Sequence, residues 1–445
     1  MSAFAARLGA AAFAALACLA ACAHGATVVP AADGRGAAGH AASSKQPIAH
    51  VVIIIQENRS FDNLFQHFPG ADTAPSGLAS NGKRIRLRQI PLEAGYDIYH
   101  DATTWIAAYD DGKMDGFDKE RTLGEASPPP YPQYGYVPRS ETVPYWQMAE
   151  QYVLADRMFA SNIDASFVAH QYLIAAQANR EVNYPKTWWG CRGGASDTIA
   201  TLNDDRTYGA AQPVCQDYQT LGDLLDAKGV SWRYYAPHAA RVGGQPAGAI
   251  WSAFQAVRHI YDGPDWTANV AWPQTRILSD VAQGKLAQVT WVVPDFADSD
   301  HAGSGHNSGP EWVASIVNAV GESPFWKNTA IFVLWDDWGG WYDHVAPAQL
   351  DYDGLGFRVP LICISPYAYK GVVSHTQYEF GSLLRFIENN WGLPQLAASD
   401  QRATPASTGC LDFSQAPRAF EPIATSLQPR DFLKERASDR PPDDQ

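Results

Sequence analysis

A carboxylate and an amide, Glu57 and Asn58, directly follow an apolar run of valine and isoleucine at 51–55. Such a β-branched run is typical of a strand that is buried on both faces. Open α/β sheets bind their ligands beyond the carboxyl ends of their strands. Two oxygen donors at that position could bind a hard cation. The alternative is that both residues simply end the strand and that Ser60 caps a helix.

A second acidic pair, Asp336 and Asp337, ends another apolar run and is followed closely by two glycines. Adjacent carboxylates repel each other unless a cation or a proton lies between them. Glycines let the backbone approach a ligand closely. Together with Glu57 and Asn58, the pair predicts one divalent-metal site built from two strand ends, for Ca²⁺, Mg²⁺ or Mn²⁺, or for Zn²⁺ if a histidine joins.

Ser166 stands where a loop is predicted to turn into a helix over 167–179. A helix start offers free N–H groups and a positive dipole end to a phosphate, and a nearby metal would lower the pKa of the hydroxyl. Ser166 is therefore a candidate nucleophile, with a helix N-cap as the alternative. His170 follows four residues later and falls on the same helix face.

Further candidates are histidines in polar, irregular segments and one arginine beside Asn58. An isolated loop histidine is usually only solvated, which is the alternative for each of them. The candidates for proton transfer are His100, His301 and His344. The candidates for substrate binding are Arg59, His170 and His306.

The amino terminus reads as an export signal, because one basic residue precedes an apolar, alanine-rich stretch that ends in Leu-Ala-Ala-Cys. Residues 1–22 are predicted to be a lipoprotein signal with Cys22 lipidated; the alternative is an ordinary signal peptide cut near Ala26. Residues 23–48 are expected to form a flexible tether, 49–428 the catalytic domain, and 429–445 a disordered tail. The chain is then expected in the periplasm or at the cell surface, or otherwise secreted, with membrane contact only through the anchor.

The formal charge of −14 argues against nucleic acid as a partner. It does not argue against a phosphate-bearing substrate, because a bound cation reverses the field locally. Strand-like and helix-like segments alternate, which predicts an α/β fold with a mostly parallel sheet, helices on both faces and long loops over the carboxyl end. The predicted strands are 50–56, 231–236, 288–294, 329–335 and 358–365. The predicted helices are 142–152, 167–179, 218–228, 310–320 and 378–390.

Four cysteines lie beyond the signal, and an exported protein can form disulfides between them. Cys191 and Cys215 flank a polar loop and are the favoured pair. Cys363 lies in an apolar run, where a buried thiol is expected. The sequence leaves three pairings open.

Two motifs, Glu-Asn-Arg-Ser-Phe-Asp after the first strand and Trp-Asp-Asp-x-Gly-Gly-x-Tyr-Asp-His after a later one, resemble the bacterial phosphoesterase superfamily. That family joins phospholipases C with acid phosphatases, and the resemblance runs from about residue 50 to about residue 393. It implies an alkaline-phosphatase-like α/β/α fold and hydrolysis of phosphate esters. It also implies one metal held by Glu57, Asn58, Asp336 and Asp337. Ser166 would be the nucleophile, and the histidines at 100, 301 and 344 would contact the phosphate or the leaving group.

The expected reaction is attack by Ser166 on phosphorus, with His301 or His100 protonating the leaving alcohol and water then cleaving the phosphoserine. The substrate is expected to be a phospholipid or a small phosphomonoester. Aromatic residues at 335, 338, 341 and 342 could cage a choline group or simply pack. The alternative function is a non-catalytic lipoprotein that binds a phosphorylated or sugar ligand. A sulfatase would need a Cys/Ser-x-Pro-x-Arg context, which Ser166 lacks.

Overall fold

The computed structural model describes residues 47–124, 127–242, 244–248 and 251–438. These residues contain an eight-stranded central sheet. Its strands in chain order are β1 (His50–Gln56), β2 (Val153–Ala155), β3 (Trp232–Tyr235), β4 (Val270–Ala271), β5 (Val289–Val292), β6 (Thr329–Trp335), β7 (Leu361–Ile364) and β8 (Val372–Ser374).

The spatial order of the strands is β4-β3-β5-β1-β6-β7-β2-β8. All of them run in the same direction except β7, which is antiparallel to both β6 and β2. The central strand β1 pairs in parallel with β5 and β6, so that Ile53 lies beside Trp291 on one side and Phe332 on the other. The predicted α/β fold with a mostly parallel sheet is confirmed.

Helices cover this sheet in two groups. The helices are α1 (Phe61–Phe65), α2 (Ala102–Tyr109), α3 (Val143–Gln151), α4 (Ser166–Ala175), α5 (Leu221–Lys228), α6 (Arg258–Tyr261), α7 (Pro264–Asn269), α8 (Arg276–Ala282), α9 (Gly309–Gly321), α10 (Gly381–Trp391), α11 (Ala398–Arg402) and α12 (Pro429–Phe432). In one group α3, α8 and α12 pack on α9; in the other α4 and α11 pack on α10, and α5 packs on α4. Strands as apolar as β1 and β6 need cover on both faces, and the two groups supply it.

Small two- and three-stranded ribbons fill the long connections between these elements. Their strands are Ser76–Leu78, Arg84–Arg86, Arg88–Gln89, Asp97–Ile98, Thr122–Leu123, Gly135–Tyr136, Glu181–Val182, Thr198–Thr201, Gln212–Pro213, Ala240–Val242 and Gln245–Ala247. Ser60 caps α1 by accepting a hydrogen bond from the N–H of Asn63, as its position after β1 indicated.

The carboxyl-terminal segment differs from the expected disordered tail. Residues 429–438 include α12, whose Phe432 is buried and packs against Trp312 with ring centroids 5.3 Å apart. The backbone N–H of Ser438 also donates to Asp295 Oδ2 at 3.1 Å, so this otherwise charged segment contacts the rest of the protein at two points at least. The predicted export signal at 1–22, the lipidation of Cys22 and nearly all of the tether lie outside the described residues. Within the described part of the chain, no helix is long and apolar enough to cross a membrane.

Two disulfides connect loops to the fold. Cys191 is bonded to Cys215, so the favoured pairing is confirmed. Cys363 is bonded to Cys410, which corrects the expectation of a buried free thiol. The apolar run around Cys363 indicated burial correctly, but a disulfide in β7 is as buried as a thiol would be, and the partner lies in a distant loop.

Peptide mapping under non-reducing conditions should recover Cys191 linked to Cys215 and Cys363 linked to Cys410. Replacing Cys191 and Cys215 together by serine should lower the free energy of unfolding by about 3 kcal/mol, because the closed loop has a sequence separation of 24 residues. Chemical denaturation measures the change. Alkylation of Cys363 in the native, oxidised protein would contradict the second pairing.

Candidate active site

The ends of β1 and β6 bring the two predicted metal-binding pairs together. In the parallel register Gln56 lies opposite Trp335, so the chains leave the sheet side by side with Glu57 next to Asp336. Asn58 has a positive φ of 59°, and its backbone N–H donates a hydrogen bond to Asp336 Oδ1 at 3.0 Å. The backbone therefore fixes the two pairs against each other before any ion is considered.

Gly339 is required by this close approach. Its φ is +62°, and a Cβ at this position would lie 2.1 Å from the carbonyl oxygen of Asn58. Its N–H donates to Asp337 Oδ1 at 2.7 Å, which orients that carboxylate. The glycine thus allows the turn after β6 to fold back against the turn after β1.

Ser166 is the first residue of α4, and Ala165 occupies the N-cap position, so the serine is not the helix cap. Its hydroxyl is fully buried and lies 3.1 Å from Asn58 Oδ1 and 3.2 Å from Asp337 Oδ2. A residue of each acidic pair therefore contacts the hydroxyl. Because α4 begins at Ser166, the free backbone N–H groups of the first turn of this ten-residue helix lie next to the hydroxyl.

His170 lies one helical turn beyond the serine and contacts the other member of each pair. Its Nε2 is 3.1 Å from Glu57 Oε1 and 3.5 Å from Asp336 Oδ2. Burial lowers the pKa of His170, but the two carboxylates outweigh burial and raise that pKa to about 9. Ligand atoms of Glu57, His170 and Asp336 all lie within 4.8 Å of one another, a spacing that suits a metal ion. The structure thus places His170 beside the acidic groups.

The negative charge of this cluster is poorly balanced. Burial, and then the charge of Asp336, raises the pKa of Glu57 well above its ordinary value. The same two causes raise the pKa of Asp337 to about 6. Glu57 Oε2 and Asp336 Oδ2 accept no hydrogen bond from the described residues, although both are buried. Three buried carboxylates, two of which have an oxygen without a hydrogen bond in the described part of the chain, fit a divalent cation.

His100 completes a chain of hydrogen bonds that starts at the serine. Its Nδ1 lies 2.6 Å from the carbonyl oxygen of Ile98, so Nδ1 carries the proton and Nε2 is an acceptor. Nε2 accepts from Asn58 Nδ2 at 3.0 Å, which turns Asn58 Oδ1 toward the hydroxyl of Ser166. His100 Nε2 also lies 3.4 Å from Asp337 Oδ1.

The segment that carries His301 runs beside the end of β1, because Glu57 N–H donates to the carbonyl of Ser299 at 2.8 Å. His301 Nδ1 lies 2.7 Å from the carbonyl oxygen of Ala302, and the imidazole ring contacts the ring of Phe296. His306 is exposed a few residues further on. In these contacts His301 touches residues of its own segment, and that segment runs beside the end of β1, next to the candidate site.

Arg59 has a different place from the expected one in substrate binding. It is fully buried, and its Nε and Nη2 donate to the carbonyl of Asp300 at 2.9 and 2.7 Å. Its Nη2 also donates to the carbonyl of Leu92, and its guanidinium lies over the ring of Trp341. The side chain therefore ties loops to the end of β1. The sequence could not show this, because an arginine beside a ligand motif looks the same in either role.

His344 belongs to a second charged cluster. Its Nδ1 lies 2.7 Å from Asp62 Oδ2, and its Nε2 lies 3.1 Å from Asp72 Oδ1. Arg358, fully buried, pairs with Asp62 and with Asp343 in the same cluster. Burial lowers the pKa of His344, but the hydrogen bond and charge of Asp62 raise it above its ordinary value overall. These pairs hold His344 in a supporting network, which differs from its expected catalytic place.

Two acidic residues that the sequence analysis did not single out support the serine loop. Asp164 Oδ1 accepts from the N–H of Ala165 at 2.8 Å. Asp353 Oδ1 accepts from the N–H of Ile163 at 3.3 Å, and its Oδ2 accepts from the hydroxyl of Tyr172 at 2.7 Å. Asp164 could have been noticed two residues before the serine, whereas nothing in the sequence connects Asp353 to this loop.

The sequence of this chain is similar to the sequences of known proteins. A sequence model described as the Phosphoesterase family matches residues 48–394. The hemolytic phospholipase C of Pseudomonas aeruginosa is 26% identical over 88% of this chain and 60% of its own length. Phospholipase C B of Mycobacterium tuberculosis is 24% identical over 84% of this chain and 80% of its own length. The chain also spans 54% of the non-hemolytic phospholipase C of Pseudomonas aeruginosa.

Solved structures with a similar arrangement include a protein in the alkaline phosphatase superfamily from Vibrio parahaemolyticus. It is 9% identical, with a TM-score of 0.36 over 78% of this chain and 66% of that chain.

Asp353→Asn should flatten the pH dependence of stability. Burial raises the pKa of Asp353 to about 7, whereas the unfolded value is about 3.9. Because the folded protein favours the protonated form of this carboxyl, its contribution to stability is fully present at a pH below the unfolded pKa. That contribution is lost as the pH rises toward 7. Between pH 5 and pH 8 the wild type should therefore lose roughly 2 kcal/mol more than the variant. Urea unfolding at the two pH values measures the difference.

The matched control is Asp111→Asn, which changes the same chemical group at an exposed position. It should retain the wild-type pH dependence. An Asp353→Asn protein with the wild-type slope would show that this carboxyl does not titrate as its burial requires.

Proposed function

Because the chain belongs to the Phosphoesterase family, we propose that it hydrolyses phosphate esters with Ser166 as the nucleophile. One divalent cation would be held by Glu57, Asn58, Asp336 and Asp337. The observation that carries the proposal is the position of the serine hydroxyl, within 3.2 Å of a side-chain oxygen from each strand end. Nε2 of the buried His170, which lies beside Glu57 and Asp336, would add a further ligand to the cation.

The cation, when bound, would supply positive charge to a phosphate oxygen and lower the pKa of the serine hydroxyl. The residues of the chain provide the rest of the chemistry. The free N–H groups at the start of α4 point toward the phosphate position and favour an anion there. Asn58 orients the hydroxyl, because its amide is itself fixed by His100.

Attack of Ser166 Oγ on phosphorus forms the O–P bond of a phosphoserine and breaks the bond to the ester oxygen. The leaving alkoxide takes a proton from a general acid, and water then attacks the phosphoserine to release phosphate or a phosphate monoester. His100 is the favoured acid because its Nε2 lies 3.0 Å from Asn58 Nδ2 and 3.4 Å from Asp337 Oδ1, beside the two groups that contact the serine hydroxyl. The hydroxyl proton of Ser166 would pass to Asp337 Oδ2, 3.2 Å away, and His100 Nε2, 3.4 Å from the other oxygen of that carboxylate, would pass a proton to the leaving alkoxide. A proton of the attacking water then restores the serine hydroxyl.

The substrate class is proposed from the relatives, which are named phospholipases C. A phospholipid therefore comes first and a small phosphomonoester second. Trp335, Trp338 and Trp341 are no more than 1% exposed, which favours the alternative that these residues pack over the one that they cage a choline group. Comparing turnover of phosphatidylcholine with that of p-nitrophenyl phosphate distinguishes diester from monoester preference.

A non-catalytic lipoprotein that binds a phosphorylated or sugar ligand is the second candidate. It would use the same metal site but would have no need for a hydroxyl oriented toward that site by two acceptors. The contacts of Ser166 therefore favour the hydrolase.

Ser166→Ala should lower kcat by at least about 1000-fold, because it removes the atom that forms the covalent intermediate. Its circular dichroism and melting temperature should remain close to those of the wild type. Acid quenching of the wild type with a ³²P-labelled ester should leave label on the peptide that contains Ser166. Ser140→Ala, an exposed serine, is the control. Near-native turnover by Ser166→Ala would show that another group is the nucleophile.

Removal of divalent metal by a chelator should abolish hydrolysis, and a panel of Ca²⁺, Mg²⁺, Mn²⁺ and Zn²⁺ should identify the ion that restores it. Asp336→Asn should weaken binding of that ion by roughly 100-fold in calorimetry, because it removes a direct ligand charge. His344→Gln tests the other acidic group with metal-like spacing, formed by Asp62, Asp343 and His344. If only His344→Gln weakens binding, the ion lies in that second cluster.

A further inference from the structure

Two aromatic and basic loops lie at the same edge of the sheet as the candidate active site. The segments that follow β3 and β4 leave the sheet at its carboxyl edge, as do Glu57 after β1 and Asp336 after β6. The end of β3 is two strands away from β1, which corresponds to about 10 Å. Of the residues considered next, Arg241 and Trp272 lie on these segments, whereas Trp188 contacts Arg241, Arg192 donates to the carbonyl of Ala239, and Trp266 contacts Trp272. We call Trp188, Arg192, Arg241, Trp266 and Trp272 the aromatic–basic rim.

The aromatic part of the rim is partly exposed and is held by tilted and edge-to-face ring contacts. Trp272 is 38% exposed, and its ring centroid lies 5.9 Å from that of Trp266 and 5.2 Å from that of His238. Trp266 and Trp272 line a cavity of about 120 Å³ together with Arg192, Ser252 and Gln255. The cavity therefore has aromatic walls and polar groups, which suits the headgroup of an amphiphile.

The basic part of the rim surrounds Trp188. The guanidinium groups of Arg192 and Arg241 lie 4.0 and 5.3 Å from the centre of its ring, and both arginines are exposed. This local positive charge contrasts with the formal charge of −14 for the whole chain. Screening limits the influence of distant charges to about 8 Å at physiological ionic strength, so local charges decide what this edge attracts.

The loop that presents Trp188 is fixed by internal bonds. The buried carboxylate of Asp197 accepts hydrogen bonds from the N–H groups of Thr187, Trp188 and Gly190 at 2.7, 2.9 and 3.2 Å. Gln255 Nε2 donates to the carbonyl of Trp188 at 2.8 Å. The disulfide with Cys215 anchors Cys191, the residue that follows Gly190. The carboxylate of Asp197 is thus engaged by backbone N–H groups of its own loop, and this loop holds Trp188 in place.

We propose that the aromatic–basic rim docks the protein on an anionic lipid surface. Indole rings favour the boundary between headgroups and acyl chains, and arginine pairs with lipid phosphates while its stem remains in apolar surroundings. This inference deepens the proposed function, since an ester borne on a membrane would then be presented at the edge that carries Ser166. Asp262 and Asp265 on the adjoining segments reduce the local charge, so binding is expected to be moderate and salt-sensitive.

The test measures sedimentation with vesicles of phosphatidylcholine containing phosphatidylglycerol, and with vesicles of phosphatidylcholine alone. The chain carries Cys22→Ser, so that no anchor forms, and Ser166→Ala, so that the lipids are not hydrolysed. This parent should bind the anionic vesicles more tightly, and added salt should weaken binding. Arg192→Gln and Arg241→Gln should each weaken it roughly 5-fold, and the double variant roughly 25-fold. Trp272→Ala should weaken binding to both vesicle types.

The control is Tyr369→Ala with Arg84→Gln, an exposed aromatic and an exposed arginine elsewhere on the surface. It should bind like the parent. In an otherwise wild-type chain, the rim variants should keep normal turnover of soluble p-nitrophenyl phosphate. Rim variants that sediment like the parent, or a parent that does not bind, would overturn docking. Vesicle binding by the Cys22→Ser chain, together with no hydrolysis of any ester when Ser166 is intact, would support docking and contradict the proposed function.

Discussion

The concentration of buried negative charge at the ends of two neighbouring strands sets the conditions for the rest of this structure. Glu57, Asp336 and Asp337 are removed from water. The imidazole of His170 lies 3.1 Å from Glu57, and that of His100 lies 3.4 Å from Asp337. Such a group is costly unless its charge is balanced. The parallel register of β1 and β6, together with a left-handed residue after one strand and a glycine after the other, holds the carboxylates in place despite their repulsion.

Around this centre the protein uses buried polar groups to fix loops that have little regular structure. Arg59 and Arg358 each bond to loop backbone or carboxylates, and Asp164 and Asp353 bond to the N–H groups that precede the serine. Each of these side chains is almost fully buried. Removing any one of them would therefore leave the buried polar group that it contacts without a hydrogen-bond partner. The position of the serine hydroxyl therefore depends on residues well outside the site itself.

Much of this arrangement could be predicted from the sequence, and the reasons are local. The strands at 50–56 and 329–335 are continuous apolar runs, and the polar pairs come directly after them, so both their type and their meeting point follow from sheet geometry. The short strands β2, β4 and β8 were missed because two or three residues show no periodicity. The roles of Arg59 and His344 were not predicted because they depend on partners from distant segments, which one sequence does not reveal.

The one reversed strand, β7, has a consequence for how this pocket can vary. Since it runs against β6, the connection that enters it arrives at the ligand edge, and this connection carries both Asp353 and Arg358. Every other strand of the sheet sends its outgoing connection there. Lengthening or shortening the incoming segment would reshape one wall of the pocket without changing any strand pairing. The same connection begins with Asp336 and Asp337, so only insertions in its later part, close to β7, would change the site and leave these oxygen donors undisturbed.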